Sequence, residues 1–98
     1  MEVNIKARFP WTIREPESPD RRWIAVCDPL NLALEANTFS ELRSVINEAV
    51  TLLLCDLYVD GELEEFFRQR GWEISSLPPP GTDPKDVQFV LPPVLEVA

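Results

Sequence analysis

An α+β fold is predicted, with an antiparallel three- to four-stranded sheet packed against one main helix, a short second helix and a C-terminal strand. Three observations predict it. Apolar residues alternate with polar ones from Val3 to Ile13 and again from Leu30 to Ala36; Thr38 stands three residues before Glu41 at the head of an apolar stripe of helical period; and Asp60-Gly61 interrupts that stripe. At 98 residues the chain has the length of one domain.

The first strand is read over Val3–Ile13, with Val3, Ile5, Ala7, Phe9, Trp11 and Ile13 on one face and Asn4, Lys6, Arg8, Thr12 and Arg14 mainly on the other. Pro10 has no amide donor and so marks an edge strand or a bulge. Glu15 to Arg22, rich in proline, serine and aspartate, is turn chemistry that returns the chain into Trp23–Cys27, and Leu30–Ala36 completes an antiparallel meander.

Thr38 and Glu41 match a capping box, so the main helix is expected to begin at Phe39. Phe39, Leu42, Ile46, Ala49, Leu53 and Leu57 follow at steps of three and four and face the sheet. After Val50 the apolar arc widens to take in Leu52 and Leu54, which calls for additional cover. A short helix over Glu62–Arg70, with Leu63, Phe66 and Phe67 as its apolar contacts and Gly71 as its C-cap, is placed to supply it.

Trp72–Ile74 reads as a short strand. Pro78, Pro79, Pro80, Gly81 and Pro84 read as an extended linker, and Val87 to Val97 regains strand character suited to adding onto a sheet edge. The organisation is therefore an α+β domain over 1–76, a proline-rich linker over 77–86 and a C-terminal strand segment over 87–98.

Seventeen acidic residues against nine basic ones give a net charge of −8, which repels phosphate backbones and favours a basic protein partner over nucleic acid. Histidine is absent, so the usual general base and the commonest neutral metal ligand are missing. Serine and cysteine nucleophiles accordingly lack an activating imidazole. Gly61, Gly71 and Gly81 are too widely spaced for a phosphate-cradling loop. Cys27 and Cys55 form no zinc motif and read as small core hydrophobes, which together with a start lacking signal-peptide character places the chain in the cytoplasm. The longest apolar run, Val50–Cys55 with Thr51 inside it, is too short to span a bilayer.

Asp56, Asp60, Glu62, Glu64 and Glu65 cluster around the break between the helices with no base between them; the cluster reads first as a solvated helix junction, and would also attract a cationic partner. Leu52, Leu54, Phe66, Phe67, Val87, Phe89 and Leu91 are candidates for core or dimer contact. Asp28, Glu35, Glu48 and Asp56 are the acids from which a two-metal nuclease site would have to be assembled, although Glu35 and Glu48 fall on wet faces.

The run Trp23-Ile24-Ala25-Val26-Cys27-Asp28-Pro29-Leu30, followed by Thr38-Phe39-Ser40-Glu41-Leu42 and then Asn47-Glu48-Ala49, resembles the HicB-like antitoxin family over roughly residues 3–60. Asn37, Leu42 and Arg43 differ from the residues common there. The resemblance implies a partial ribonuclease H-like fold without catalytic acids, a homodimer, and inhibition of a small basic toxin ribonuclease, HicA. Leu77 to Ala98 reads as proline-rich and strand-like where many relatives carry a DNA-binding module, so operator binding is not carried over.

The expected function is therefore a noncatalytic protein-interaction domain with no cofactor, dimeric, directed at a basic toxin. Two other readings use the same residues: an orphan structural homodimer exchanging the strand Val87–Leu91, and a divalent-metal nuclease.

Overall fold

The computed structural model of the chain describes residues 2–5, 7, 9–74, 77–79 and 81–91. The elements run β1 (Glu2–Asn4), β2 (Thr12–Arg14), β3 (Trp23–Cys27), a 3-10 turn (Asp28–Leu30), β4 (Leu32–Ala36), α1 (Phe39–Val59), α2 (Leu63–Gln69), a second 3-10 turn (Pro84–Asp86) and β5 (Gln88–Val90). The fold is α+β. Two compact units are formed by the described residues, one from 9–49 and the other from those before Phe9 together with those between Val50 and Leu91.

In the first unit β2, β3 and β4 make the antiparallel meander, with Thr12 opposite Val26, Arg14 opposite Ile24, Trp23 opposite Ala36 and Cys27 opposite Leu32. Alternation explains the faces. Ala25, Cys27 and Ala36 are buried, while Thr12, Arg14, Ile24, Ala33 and Glu35 are exposed. Between β2 and β3 the Ser18 hydroxyl donates to the Asp20 carboxylate at 2.7 Å, and the Arg21 amide donates to the Ser18 carbonyl at 3.0 Å. The Ser18 bond holds the Asp20 carboxyl below its usual range.

The expected Val3–Ile13 strand is in fact two strands in different sheets, and the cause sits at Pro10. The Trp11 amide donates to the Phe9 carbonyl at 3.0 Å, closing a three-residue turn whose centre suits proline's fixed φ. Val3, Ile5, Ala7 and Phe9 are nonetheless all buried, so the inward-facing set is as read although the single ladder is not. The third strand begins at Leu32 rather than Leu30. Asp28-Pro29-Leu30 winds into the 3-10 turn, which ends with Asn31 at φ 55° and its amide bonded to the Asp28 carbonyl at 2.9 Å.

Helix α1 starts at Phe39, as expected. The Glu41 amide donates to Thr38 Oγ1 at 3.1 Å, and Glu41 Oε2 accepts from the Asn37 amide at 3.2 Å, one residue earlier than the standard box. Phe39 stacks at a tilt on Trp23 with centroids 5.2 Å apart, tying the helix start to β3. The fully buried row is Leu42, Ile46, Val50 and Leu54, each one helical turn on from the last, while Phe39, Ala49, Leu53 and Leu57 of the expected stripe are half-buried along its flank. Steps of four advance about 40° round the helix, so the buried line drifts away from the three-and-four stripe toward Leu54.

In the second unit β1 and β5 pair in parallel, with Val3 opposite Phe89, and Ile5 forms an isolated antiparallel bridge with Ile74. Trp72–Ile74 is thus not a strand beyond that bridge. The C-terminal strand covers Gln88–Val90 and pairs within the same chain; the expected continuation past Leu91, the wet-face residues Lys6 and Arg8, and Pro80 lie outside the described residues. Val3, Ile5, Leu54, Leu63, Phe67 and Phe89 are buried in this unit, but Leu52 is 58% exposed, so of the two leucines expected to need cover only Leu54 receives it.

Both helices end in Schellman motifs. For α2 the Trp72 amide reaches the Phe67 carbonyl at 2.9 Å and the Gly71 amide reaches the Arg68 carbonyl at 3.1 Å, with Gly71 at φ 71° and Trp72 edge-on to Phe67 at 5.6 Å. For α1 the Glu62 and Gly61 amides bond the Leu57 and Tyr58 carbonyls in the same way. The proline-rich stretch folds into turns where an extended spacer was expected. The Thr82 hydroxyl and amide both donate to the Pro79 carbonyl, Pro78 is buried, and Asp83 caps the Pro84–Asp86 turn by accepting the Lys85 amide at 2.9 Å.

Leu52 and Leu54 provide a sharp test of this register, because Leu54 is 0% exposed and Leu52 is 58% exposed. Leu54→Ala is expected to lower the unfolding free energy by about 2–5 kcal/mol, and Leu52→Ala to change it by no more than about 0.5 kcal/mol, both read from urea denaturation.

Candidate functional site

The Schellman reversal at Gly61 stops α1 and turns the chain through Asp60 and Glu62 into α2, leaving the end of one helix beside the start of the next. Leu77, Pro78 and the residues from Gly81 to Pro84 lie against this junction, pinned where the Tyr58 hydroxyl donates to the Thr82 carbonyl at 3.2 Å. Between them is a cleft of about 580 Å³. Tyr58, Leu63 and Pro78 form its apolar surface together with the exposed side chains of Val59 and Leu77, and its carboxylates are Glu64 and Asp83. No lysine or arginine is among the described residues that line it.

The five acids expected at the junction are all exposed, but they do not share one pocket. Glu64 lines the cleft; Glu62 and Glu65 border a separate hollow of about 270 Å³ with Leu57, Phe66 and Gln69; Asp56 lies in the last turn of α1 and Asp60 directly follows it. Arg68 pairs with Glu65 at 3.0 Å and with Glu64 at 3.5 Å, one turn along α2. Exposed pairs of this kind are worth about 0–1 kcal/mol and trim the local potential without cancelling it. Asp56, Asp60 and Glu62 have no ion pair among the described residues.

Of the residues expected at core or dimer contacts, Leu54, Phe67, Val87 and Phe89 are buried within the chain, and Phe66 and Leu91 are half-buried. Phe66 is roofed by Arg70, whose guanidinium lies 3.5 Å from the ring centroid and donates to the Phe66 carbonyl at 3.0 Å. Leu52 alone of that set stands in solvent.

Asp28, Glu35, Glu48 and Asp56 are each exposed, and Glu35 is engaged by Arg22 at 2.9 Å. Among the described residues no three acidic or cysteine side chains stand together where they could hold a metal ion. A third hollow, of about 340 Å³ on the sheet unit, is lined by Arg14, Arg21, Arg22, Glu15, Glu17 and Glu35, so its charges balance and favour neither sign of ligand. Among the described residues no helix is long and apolar enough to cross a membrane.

Asp83, Tyr58 and Leu77 are the site residues that sequence reading missed. Asp83 and Leu77 belong to a stretch whose prolines announce turns without indicating what the turns pack against, and Tyr58 reads as one more residue of the helix. The spacing of Glu64 and Glu65 from Arg68 did carry a signal, the i,i+4 and i,i+3 rule.

Both cysteines are free thiols. Burial pushes the Cys27 thiol up, with Asp28 adding to the shift and a backbone hydrogen bond at Leu30 opposing it; burial also raises Cys55, helped by the charge of Asp56. Raised values mean weak nucleophiles at neutral pH. A disulfide reagent at neutral pH is expected to modify half-exposed Cys55 well before Cys27, with Cys27 reacting only as urea unfolds the chain. Because the folded state prefers protonated Cys27, its stabilising contribution is intact below the ordinary thiol range and is lost as pH rises through the elevated folded value. Urea midpoints measured from neutral to alkaline pH should fall more steeply in the wild type than in Cys27→Ala, which retains only the Cys55 contribution.

Compared with known proteins, the chain matches no family model, no curated protein and no solved structure.

Proposed function

We propose that this chain is a noncatalytic interaction domain that binds a basic protein. The observation that carries the reading is the cleft at the α1–α2 junction, where exposed Val59 and Leu77 adjoin Glu64 and Asp83 and no base lines the wall. Apolar surface left in water favours contact with a macromolecule, and the wall carboxylates, of which Glu64 is moderated by Arg68 and Asp83 has no ion pair among the described residues, select its sign. The net charge of −8 extends that preference beyond the cleft, speeding encounters with cations and opposing nucleic acid.

The HicB-like character of Trp23–Leu30 and Thr38–Ala49 supports a narrower form of the proposal. In it the partner is a small basic toxin ribonuclease, which the chain neutralises by covering its active face in the cytosol. There the two thiols remain reduced.

Affinity capture from native extract tests the proposal, comparing wild type with a variant carrying Asp60→Lys, Glu62→Lys and Asp83→Lys. Wild type is expected to retain a basic polypeptide in a salt-sensitive manner, with retention at least about tenfold weaker for the variant. The same polypeptide should cleave RNA alone and stop doing so when wild-type chain is added. Equal retention by both chains, or retention only of acidic polypeptides, overturns the reading.

A further inference from the structure

Leu52 and Val59 are 58% and 63% exposed, the most exposed large hydrophobic side chains among the described residues. They lie seven residues apart on α1, which places them about 10 Å apart along the axis and within about 20° of each other around it. Cys55, half-buried, lies on the same side of the helix, and Val59 continues into the wall of the cleft beside Leu77. The result is an apolar line on a helix face that none of the described residues covers. Asp56 and Asp60 follow its border at about 40° and 80° from Leu52. From Ser44 to the end of α1 at Val59 the sequence contains no lysine or arginine.

Charge decides which occupant such a face accepts. A second copy laid on it would bring Asp56 and Asp60 of both subunits to one seam with no base on that stretch of either helix to offset them, and each copy carries a net charge of −8. Anionic lipid is opposed for the same reason. A helix bearing apolar side chains one and two turns apart, flanked by lysine or arginine, satisfies both halves of the surface at once. Its apolar ridge covers Leu52 and Val59, and its cations reach Asp56, Asp60 and the rim carboxylates.

We infer that the Leu52–Val59 face of α1 is the seat of a cationic amphipathic helix supplied by the partner. The inference rests on the reading of this chain as a binder of basic protein and adds the form of the element that docks. Apolar contacts at two turns' spacing match the ridge of a helix, whereas charge attraction alone would accept any basic segment.

The probe is a fluorescent peptide of about 18 residues, built of leucine and lysine with leucine at helical spacing, set against a scrambled peptide of identical composition. Full-length chain is titrated with each. The helical peptide is expected to bind at least about tenfold more tightly than the scrambled one, to slow alkylation of Cys55, and to lose that advantage on Leu52→Ser/Val59→Ser. These exposed sites leave the fold intact, which circular dichroism checks.

Equal binding of the two peptides, or no effect of the double substitution, overturns the helix seat. If acid reversal still abolishes retention of the native basic polypeptide in that case, the binder reading stands and only the docking element is wrong. A wild-type chain that sediments as a dimer and becomes a monomer on Leu52→Ser/Val59→Ser, or that binds anionic phosphatidylserine vesicles through the same residues, also overturns the inference.

Discussion

Four side chains, each one helical turn beyond the last, are the constraint on which the other elements depend. Leu42 and Ile46 are buried in the unit built on the meander, and Val50 and Leu54 in the unit that holds β1, β5 and α2. A single unbroken helix therefore provides core residues to both units, and among the described residues the other helix, α2, is only seven residues long. The capping interactions of Thr38 and Glu41 at one end and the Gly61 reversal at the other fix where that row begins and stops. Moving the helix register by a single residue would turn apolar side chains out and polar ones in along its length.

The surface at the end of α1 follows from the same register. Once Leu54 faces inward, Leu52, two positions and about 200° away, must face out. Once Gly61 folds the chain back, the carboxylates of the linking segment have nowhere to go but solvent. Exposed apolar residues and unneutralised acids thus arise side by side as consequences of helix geometry. Arg68 moderates the field over α2 but leaves the last turns of α1 fully negative. Turns at Pro79 and Asp83 then set a second wall beside Tyr58, and a helix end becomes a cleft.

Legibility of this fold in the sequence tracked the range of the interactions. Trp23–Cys27, the Phe39 helix start and the Gly61 and Gly71 stops are written within four or five residues of themselves, and all four were readable. Pro10 was noticed, yet the inward alternation from Val3 to Phe9 survives the turn it makes, so a period of two could not separate one strand from two. Leu52 and Leu54 are equally apolar, and only the placement of distant cover distinguishes them. The cleft was hidden for the same reason: the Tyr58–Thr82 bond joins segments whose local patterns carry no sign of each other. The acids of the junction could be named individually, but the division of Glu64 from Glu62 and Glu65 between two hollows depends on how α2 is rolled about its axis.

The parallel pairing of β1 with β5 joins strands separated by nearly the whole polypeptide. Emerging from a ribosome, the meander and the first turns of α1 hold all their ladder partners early, while Val3 and Ile5 wait for Phe89 and Val90 to appear. Such distant closure is intrinsically slow, and it leaves a buried-type apolar segment uncovered throughout synthesis. The nascent chain thus has an interval in which its first strand is available to any passing strand or chaperone.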